Sequence, residues 1–200
     1  MINPIVEAGV EEVKIYLPKG NWYDFFPVQK ISLAQFPSYK KYFGSGAYVS
    51  FAADLKTMPI LVRGGSIIPF QKPGATTSET KVNPYEIVAF LCEKGRASGS
   101  LVIDDGELLP EFSSFSEISM IVSGSSLRIT PKVSNYRNPE ETKLGAIKVA
   151  GMTVAPTQVL LNSQPAFFSF SDSTLTIPEL SLSLLEEVVV TWSYAASVEK

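Results

Sequence analysis

Short stretches rich in apolar residues, some alternating with polar ones and some nearly continuous, recur along the whole chain, and turn residues separate them. Examples are "VKIYL" at 13–17, "YEIVAFLC" at 85–92 and "EVVVTW" at 187–192. Such runs, rich in Val, Ile, Phe and Tyr, are typical of β-strands. No segment keeps a helical apolar period over the ~11 residues of an average helix. The pattern therefore predicts an all-β protein.

A polar segment, "QKPGATTSETKVNP" at 71–84, interrupts the series of strands. It contains two prolines and a glycine and has almost no apolar side chains, which is typical of a linker between two cores. We therefore predict two consecutive antiparallel β-sandwich-like domains, a proximal one at residues 1–80 and a distal one at residues 81–200.

The composition excludes several classes of function. The chain has no histidine and one cysteine, Cys92, within 200 residues, so Ser-His-Asp and Cys-His constellations, His-ligated metals and thiolate clusters are excluded. We expect no metal site and no cofactor. A net charge of −3 without a basic stripe argues against nucleic acid as a partner. No apolar run reaches the roughly 18 residues that a membrane span needs.

The most prominent carboxylates lie in "IDDGE" at 103–107. A glycosidase needs two carboxyl groups that face one sugar bond, whereas adjacent strand residues such as Asp104 and Asp105 point to opposite faces. Asp-Gly after a strand is also a strong signal for a hairpin turn. We therefore interpret Asp104, Asp105 and Gly106 as a structural turn and expect no catalytic residue in this chain.

The aromatic stretch "GNWYDFF" at 20–26 has two interpretations. Its alternating aromatic side chains fit the core of a sandwich. Alternatively, an exposed aromatic face would stack on a sugar ring, with Trp22 and Tyr23 as the carbohydrate-binding candidates. Of the two, Trp22 is the one expected to lie outside the core.

The stretch "LVRGGSIIPF" at 61–70 sets a charge and two glycines inside an apolar run. Glycines within a strand pattern indicate a bulge, a tight turn or the close approach of another backbone. Gly64 and Gly65 are therefore predicted to turn the chain sharply between two strands. Arg63 is predicted to stabilise that turn by donating its guanidinium to carboxylates or carbonyls in a buried network.

Taken together, these motifs resemble the region that follows the catalytic (β/α)8 barrel in α-glucosidases of glycoside hydrolase family 31. The resemblance is greatest to the branch of lysosomal acid α-glucosidase and maltase-glucoamylase. It covers nearly the whole chain and is carried, in order, by "NPIVEAG", "VKIYLPKGNWYDFF", "LKTMPILVRGGSIIPFQKPG", "GSLVIDDGE", "LGAIKVAGM", "APTQVLLNSQP" and "EEVVVTW".

The resemblance implies a proximal and a distal β-sandwich domain packed against the barrel, which would be the main partner. An α-glucan that stacks on Trp22 and its neighbours is the second candidate partner. In the family the catalytic aspartates lie on the barrel, and no stretch here matches their motifs. The chain would then be the non-catalytic C-terminal region of a retaining enzyme that hydrolyses α-1,4-linked glucose from maltooligosaccharides, glycogen or starch.

Two other interpretations stay open at this level. One is an autonomous carbohydrate-binding module, and the other is a structural or adhesive sandwich protein, for which the sequence offers no positive feature. The resemblance implies a lysosomal or secreted protein. The chain itself shows neither a signal-peptide pattern nor an Asn-x-Ser/Thr glycosylation sequon, so the compartment is not assigned.

Overall fold

A computed structural model describes residues 1–25, 39–53, 58–106 and 114–195 of the chain. Strands make up most of the regular structure, which confirms the all-β prediction. In chain order the elements are β1 (Glu12–Leu17), β2 (Gly20–Asp24), β3 (Lys41–Gly44), β4 (Ala47–Ala52), β5 (Leu61–Arg63), β6 (Ser66–Gln71), α1 (Thr77–Lys81), β7 (Tyr85–Phe90), β8 (Ala97–Asp104), β9 (Phe115–Ser123), β10 (Ser126–Ser134), β11 (Lys143–Ala150), β12 (Gln158–Leu161), β13 (Gln164–Pro165), β14 (Ser169–Ser171), β15 (Thr174–Ile177), β16 (Leu182–Ser183) and β17 (Val188–Ser193).

The first strands form two small sheets that share a core. Strand β1 pairs with β4 in one sheet, and β3, β2 and β5 form the other in that order. The alternation in β1 places every second side chain inward, because successive side chains on a strand point to opposite faces. The shared core contains Ile15, Leu17, Trp22, Phe51 and Leu61. Two facing sheets around one core give this region a sandwich-like form.

The remaining strands form one large sheet that curves around a second core. Its order is β13-β12-β17-β10-β9-β8-β6-β7-β11-β15-β14, with β16 paired to β11. Val159 near one end of the sheet and Leu175 near the other belong to the same apolar cluster, which requires the sheet to bend round on itself. Most strand pairs are antiparallel, but β7 and β11 run parallel, as do β6 and β8.

A third, smaller cluster joins the two regions. Tyr23 and Val62 of the three-stranded sheet contact Val88, Phe90 and Ala150 on the outer face of the large sheet. Strand β7 is consequently buried on both faces. This contact holds the small sheets directly against the large one.

Strand β6 belongs to the large sheet, where it hydrogen-bonds with β7 and β8. The proposed domain boundary between residues 80 and 81 therefore lies between two paired strands of one sheet. The division into residues 1–80 and 81–200 stays a prediction.

The polar segment at 71–84 contains the short helix α1 and is not an extended linker throughout. Thr76 caps the helix, since its side chain accepts a hydrogen bond from the Glu79 amide at 3.1 Å, and the Glu79 carboxylate accepts one from the Ala75 amide at 2.8 Å. This arrangement resembles the Thr-x-x-Glu capping box, except that the Glu79 carboxylate binds the amide of the residue before the cap. Within the described ranges, no helix has the length and apolar character to cross a bilayer.

Candidate functional site

Strand β2 places both proposed sugar-binding aromatics inside the protein. Trp22 is only 5% exposed, and its indole Nε1 donates to the carbonyl of Pro18 at 2.8 Å. Tyr23 is fully buried and donates its hydroxyl to the carbonyl of Leu91 at 2.7 Å. Burial raises the pKa of the Tyr23 hydroxyl above its ordinary value, so it stays neutral.

Of the two interpretations of this stretch, core packing agrees with the burial of both side chains, and the alternative of a sugar platform at Trp22 and Tyr23 lacks an exposed aromatic face. Stacking on a pyranose needs an accessible aromatic face. The two side chains lie on opposite faces of β2, and each face is covered: Trp22 belongs to the core between the small sheets, and Tyr23 to the cluster against the large sheet. The aromatic stretch serves packing.

Gly64 and Gly65 form the turn that carries the chain from the three-stranded sheet into the large sheet. Their amides donate to the carbonyls of Asn21 at 2.8 Å and Phe90 at 2.7 Å, respectively. A Cβ atom on Gly64 would lie 2.7 Å from the carbonyl oxygen of Leu91. Gly65 has a φ of 104°, a backbone conformation that favours glycine. The turn thus requires glycine twice, for two different reasons.

Arg63 differs from the expectation of a buried charge network. It is the last residue of β5, it lies opposite Trp22 in the strand register, and it is exposed. Arg63 is exposed because it is the last residue of β5, and β5 is the strand at one end of the order β3-β2-β5. A charge at such a position stays hydrated, so it costs little to accommodate and contributes little to stability.

Asp104, Asp105 and Gly106 form a surface turn after β8. The Asp104 carboxylate accepts a hydrogen bond from the Gly106 amide at 3.0 Å, and Gly106 has a φ of 72°. The backbone carbonyls of Asp104 and Asp105 both accept hydrogen bonds from the Lys81 ammonium, at 3.1 and 2.8 Å. Glu107, the last residue of this motif, lies outside the described residues.

Lys81 is a structural residue that sequence reasoning missed. Besides the two carbonyls, its ammonium forms a 3.2 Å salt bridge with Glu141 and lies 5.9 Å from the centre of the Tyr136 ring. The helix α1, the turn at 104–106 and the loop that carries Glu141 are thereby tied together. Nothing in the local sequence indicates this, because every partner is remote along the chain.

Two tyrosines that were not singled out in the sequence lie exposed on the outer face of the β1–β4 sheet. Tyr16 and Tyr48 are directly opposite each other in the register, and they are 48% and 72% exposed. Their ring centres are 5.5 Å apart and the ring planes meet at 64°. The signal was present in "VKIYL", where Tyr16 alternates with the buried Ile15 and Leu17.

The part of the chain that the structure describes contains no candidate metal site. There, no group of three or more His, Cys, Asp or Glu side chains is arranged to hold an ion.

Comparison with known proteins identifies the family. The sequence model described as "Glycosyl hydrolase family 31 C-terminal domain" matches residues 1–68. Lysosomal alpha-glucosidase of Rattus norvegicus is 33% identical over 204 residues, a match that covers 96% of this chain and 21% of that protein. The chain belongs to glycoside hydrolase family 31. Within the family it corresponds to the C-terminal region.

Other relatives and solved structures agree with this assignment. Glucoamylase 1 of Schwanniomyces occidentalis is 27% identical over 96% of this chain and 20% of its own length. A glucosidase II alpha subunit superposes with a TM-score of 0.77 at 16% identity, covering 95% of this chain and 22% of that one. A family 31 dextranase of Flavobacterium johnsoniae gives a TM-score of 0.73 at 20% identity, over 96% of this chain and 25% of that one. These structural likenesses show the fold.

The chain spans about a fifth of the length of the curated relatives that it matches. What those whole proteins do therefore applies to this chain only as a proposal.

Proposed function

We propose that this chain is the non-catalytic C-terminal region of a retaining α-glucosidase, where it packs on the catalytic barrel and stabilises it. The whole enzyme hydrolyses α-1,4-linked glucose from maltooligosaccharides, glycogen or starch. The names of the relatives support the substrate class, since they include lysosomal alpha-glucosidase and glucoamylase.

The observation that carries the proposal is an exposed apolar edge beside β5. Met1 and Leu61 exchange two backbone hydrogen bonds, of 2.6 and 2.8 Å, and Ile2 bridges to Ile60, so the first residues extend the three-stranded sheet. Along this edge Ile2 is 65% exposed and Met58 is 40% exposed, and the nearby segment leaves Val6 87% exposed. We call Met1, Ile2, Val6 and Met58 the proximal edge.

An apolar group of this kind is typical of a surface that contacts another protein domain. In the family's order of domains the barrel precedes this region, so the barrel is the domain nearest to residues 1–6 in sequence. The proximal edge is therefore the surface that we assign to the barrel contact.

The chemistry of the carboxylates supports a non-catalytic role. Asp104 caps the Gly106 amide, and the carbonyls of Asp104 and Asp105 hold Lys81. These interactions describe a turn and not a pair of groups facing a glycosidic bond. We expect the chain alone to release no glucose from maltose and no chromophore from a chromogenic α-glucoside.

The supporting role is tested by co-expression. The rat lysosomal alpha-glucosidase, without the C-terminal stretch that matches this chain, is produced together with the chain as a separate polypeptide. We expect the truncated enzyme to be soluble and active only when the chain is present. The double variant Ile2→Asp/Val6→Asp should abolish this rescue, because charged side chains would be buried in the contact.

Val102→Asp is the matched control, because Val102 is 58% exposed on β8, which belongs to the large sheet and not to the small sheet that the proximal edge extends. It should leave the rescue unchanged. A truncated enzyme that is equally soluble and active without the chain would show that the supporting role is wrong. Equal effects of the edge variants and of Val102→Asp would show that the contact has been assigned to the wrong surface.

A further inference from the structure

The outer face of the β1–β4 sheet carries an unusual combination of side chains. Tyr16 faces Tyr48 across the strands, and the next pair on the same face is Lys14 opposite Ser50. All four residues are exposed, and Glu12 continues the exposed row on β1. We call these five residues the tyrosine face.

We propose that the tyrosine face is a binding site for an α-glucan chain. The choice of an α-linked glucose polymer rests on the proposed function, but the site does not depend on whether the chain packs on a barrel. It replaces the location first considered for sugar binding, since Trp22 and Tyr23 are buried.

The chemistry of a pyranose ring fits this surface. One side of the ring is lined by C–H groups, which pack on an aromatic face, while its hydroxyl groups need hydrogen-bond partners. Tyr16 and Tyr48 supply two accessible rings, and the adjoining Lys14, Ser50 and Glu12 supply an ammonium, a hydroxyl and a carboxylate. Because the two rings are inclined at 64°, they suit a chain whose successive sugar rings turn relative to one another, as α-linked glucans do.

The site is held rigidly from beneath. Ile15 and Leu17 alternate with the exposed residues of β1 and are buried, as is Phe51 on β4. A strand anchored on its inner face presents its outer side chains with little further loss of backbone freedom on binding. A preorganised surface of this kind suits a flexible polysaccharide.

The tyrosine face differs from the proximal edge in its chemistry. The edge exposes the aliphatic side chains of Ile2 and Val6, whereas the neighbours of the two tyrosines are charged or hydroxyl-bearing. The core of a protein–protein contact is depleted of charged residues, so the tyrosine face is better suited to a hydroxylated ligand than to a second protein surface.

The test is affinity electrophoresis of the 200-residue chain in native gels with and without glycogen, followed by calorimetric titration with maltohexaose. We expect glycogen to retard the chain. Tyr16→Ser and Tyr48→Ser should each weaken maltohexaose binding by about three- to tenfold, as the loss of one aromatic contact predicts. Phe167→Ser is the matched control, because Phe167 is 76% exposed but lies far along the chain, outside the small sheets. It should bind like the unaltered chain.

Three results would overturn the proposal. The first is the absence of retardation and of a titration signal with the unaltered chain. The second is an affinity for maltohexaose that both tyrosine variants retain in full. An equal affinity of the unaltered chain for cellohexaose would count in the same way, because it would remove the preference for α-linkages. The third is a change in sedimentation of the tyrosine variants without any change in sugar binding, because the face would then be a protein contact. None of these results bears on the co-expression test of the barrel contact.

Discussion

Two glycine turns of this protein look alike in sequence but are stabilised by different interactions. One is the turn at 63–65, Arg-Gly-Gly, and the other is the turn at 104–106, Asp-Asp-Gly. The first lies where the small sheets meet the large one, and backbone crowds Gly64 on two sides. The second lies at the surface, where the nearest atom to a Cβ on Gly106 would be the Lys81 ammonium nitrogen at 3.4 Å.

The comparison shows that a charged residue beside a glycine does not reveal which of the two is structurally important. In the first turn the glycines are needed for space and conformation, while Arg63 is exposed. In the second turn a remote cation, Lys81, binds the backbone carbonyls. Four substitutions test this difference.

The largest effect is expected from Gly64→Ala. The added methyl group would meet the Leu91 carbonyl oxygen at 2.7 Å and the Asn21 Cβ at 2.9 Å. Overpacking of this kind against rigid strands should lower the free energy of unfolding by about 3 kcal/mol. Urea denaturation followed by circular dichroism measures the loss. As a control, Gly124→Ala adds a methyl group where nothing lies within 4 Å, so its loss of stability reports only the backbone strain at a φ of 59°. A smaller loss for Gly64→Ala than for the control would show that the two sheets can move apart.

Lys81→Met should be the next most destabilising change. It removes the ammonium that binds the carbonyls of Asp104 and Asp105 and the carboxylate of Glu141. Since the side chain is 36% exposed, water partly screens these interactions, and we expect a loss of about 1–2 kcal/mol in the same denaturation experiment.

Lys143→Met is the matched control for Lys81, because Lys143 forms a single surface ion pair with Glu140 three residues away. Such exposed pairs contribute between zero and about 1 kcal/mol. If both lysine variants lose the same stability, Lys81 has no special role in joining the helix to the turn.

Gly106→Ala should cost about 1 kcal/mol, which is the strain of placing a side chain at a φ of 72°. The added methyl group would lie 3.4 Å from the Lys81 ammonium nitrogen, which is an ordinary van der Waals distance, so the lysine need not move. Gly124, with a φ of 59°, provides the comparison, and thermal unfolding of the two variants should give nearly the same loss. A clearly greater loss at Gly106 would mean that the contact with Lys81 matters more than the backbone conformation.

The smallest effect is expected from Arg63→Ala. Because Arg63 is exposed at the end of β5, its removal should change the free energy of unfolding by less than about 0.5 kcal/mol. Arg128→Ala, which removes an exposed pair with Glu187 at 2.7 Å, should behave alike in the same urea titration. A loss above about 2 kcal/mol for Arg63 alone would restore the buried network that the sequence suggested.

The fold class was predictable because it depends on local patterns. The alternating stretch "VKIYL" matches β1 to within one residue, and "SLRIT" forms the first five residues of the longer β10. A strand with one buried face must alternate. The helix α1 was not predicted, because the polar composition of its segment is typical of a linker, yet the sequence carried a signal for it. The capping pattern from Thr76 to Glu79 was the signal.

The candidate site was less predictable, because the exposure of a strand's side chains depends on which other strands pack against them. Trp22 looked like a surface aromatic and Tyr16 like an ordinary strand residue. The structure reverses the two, burying Trp22 between two sheets and leaving Tyr16 on an open face. Which face of a strand is covered depends on sheets formed by residues far away along the chain.

The sequence by itself determined the strands, the glycine turns and the family, because each is encoded in short patterns of neighbouring residues. Tertiary structure decided the burial of Trp22 and Tyr23, the exposure of Arg63 and the contacts of Lys81 with the turn at 104–106, with Glu141 and with Tyr136. These properties depend on the desolvation of each side chain and on distances between atoms that only chain folding brings together.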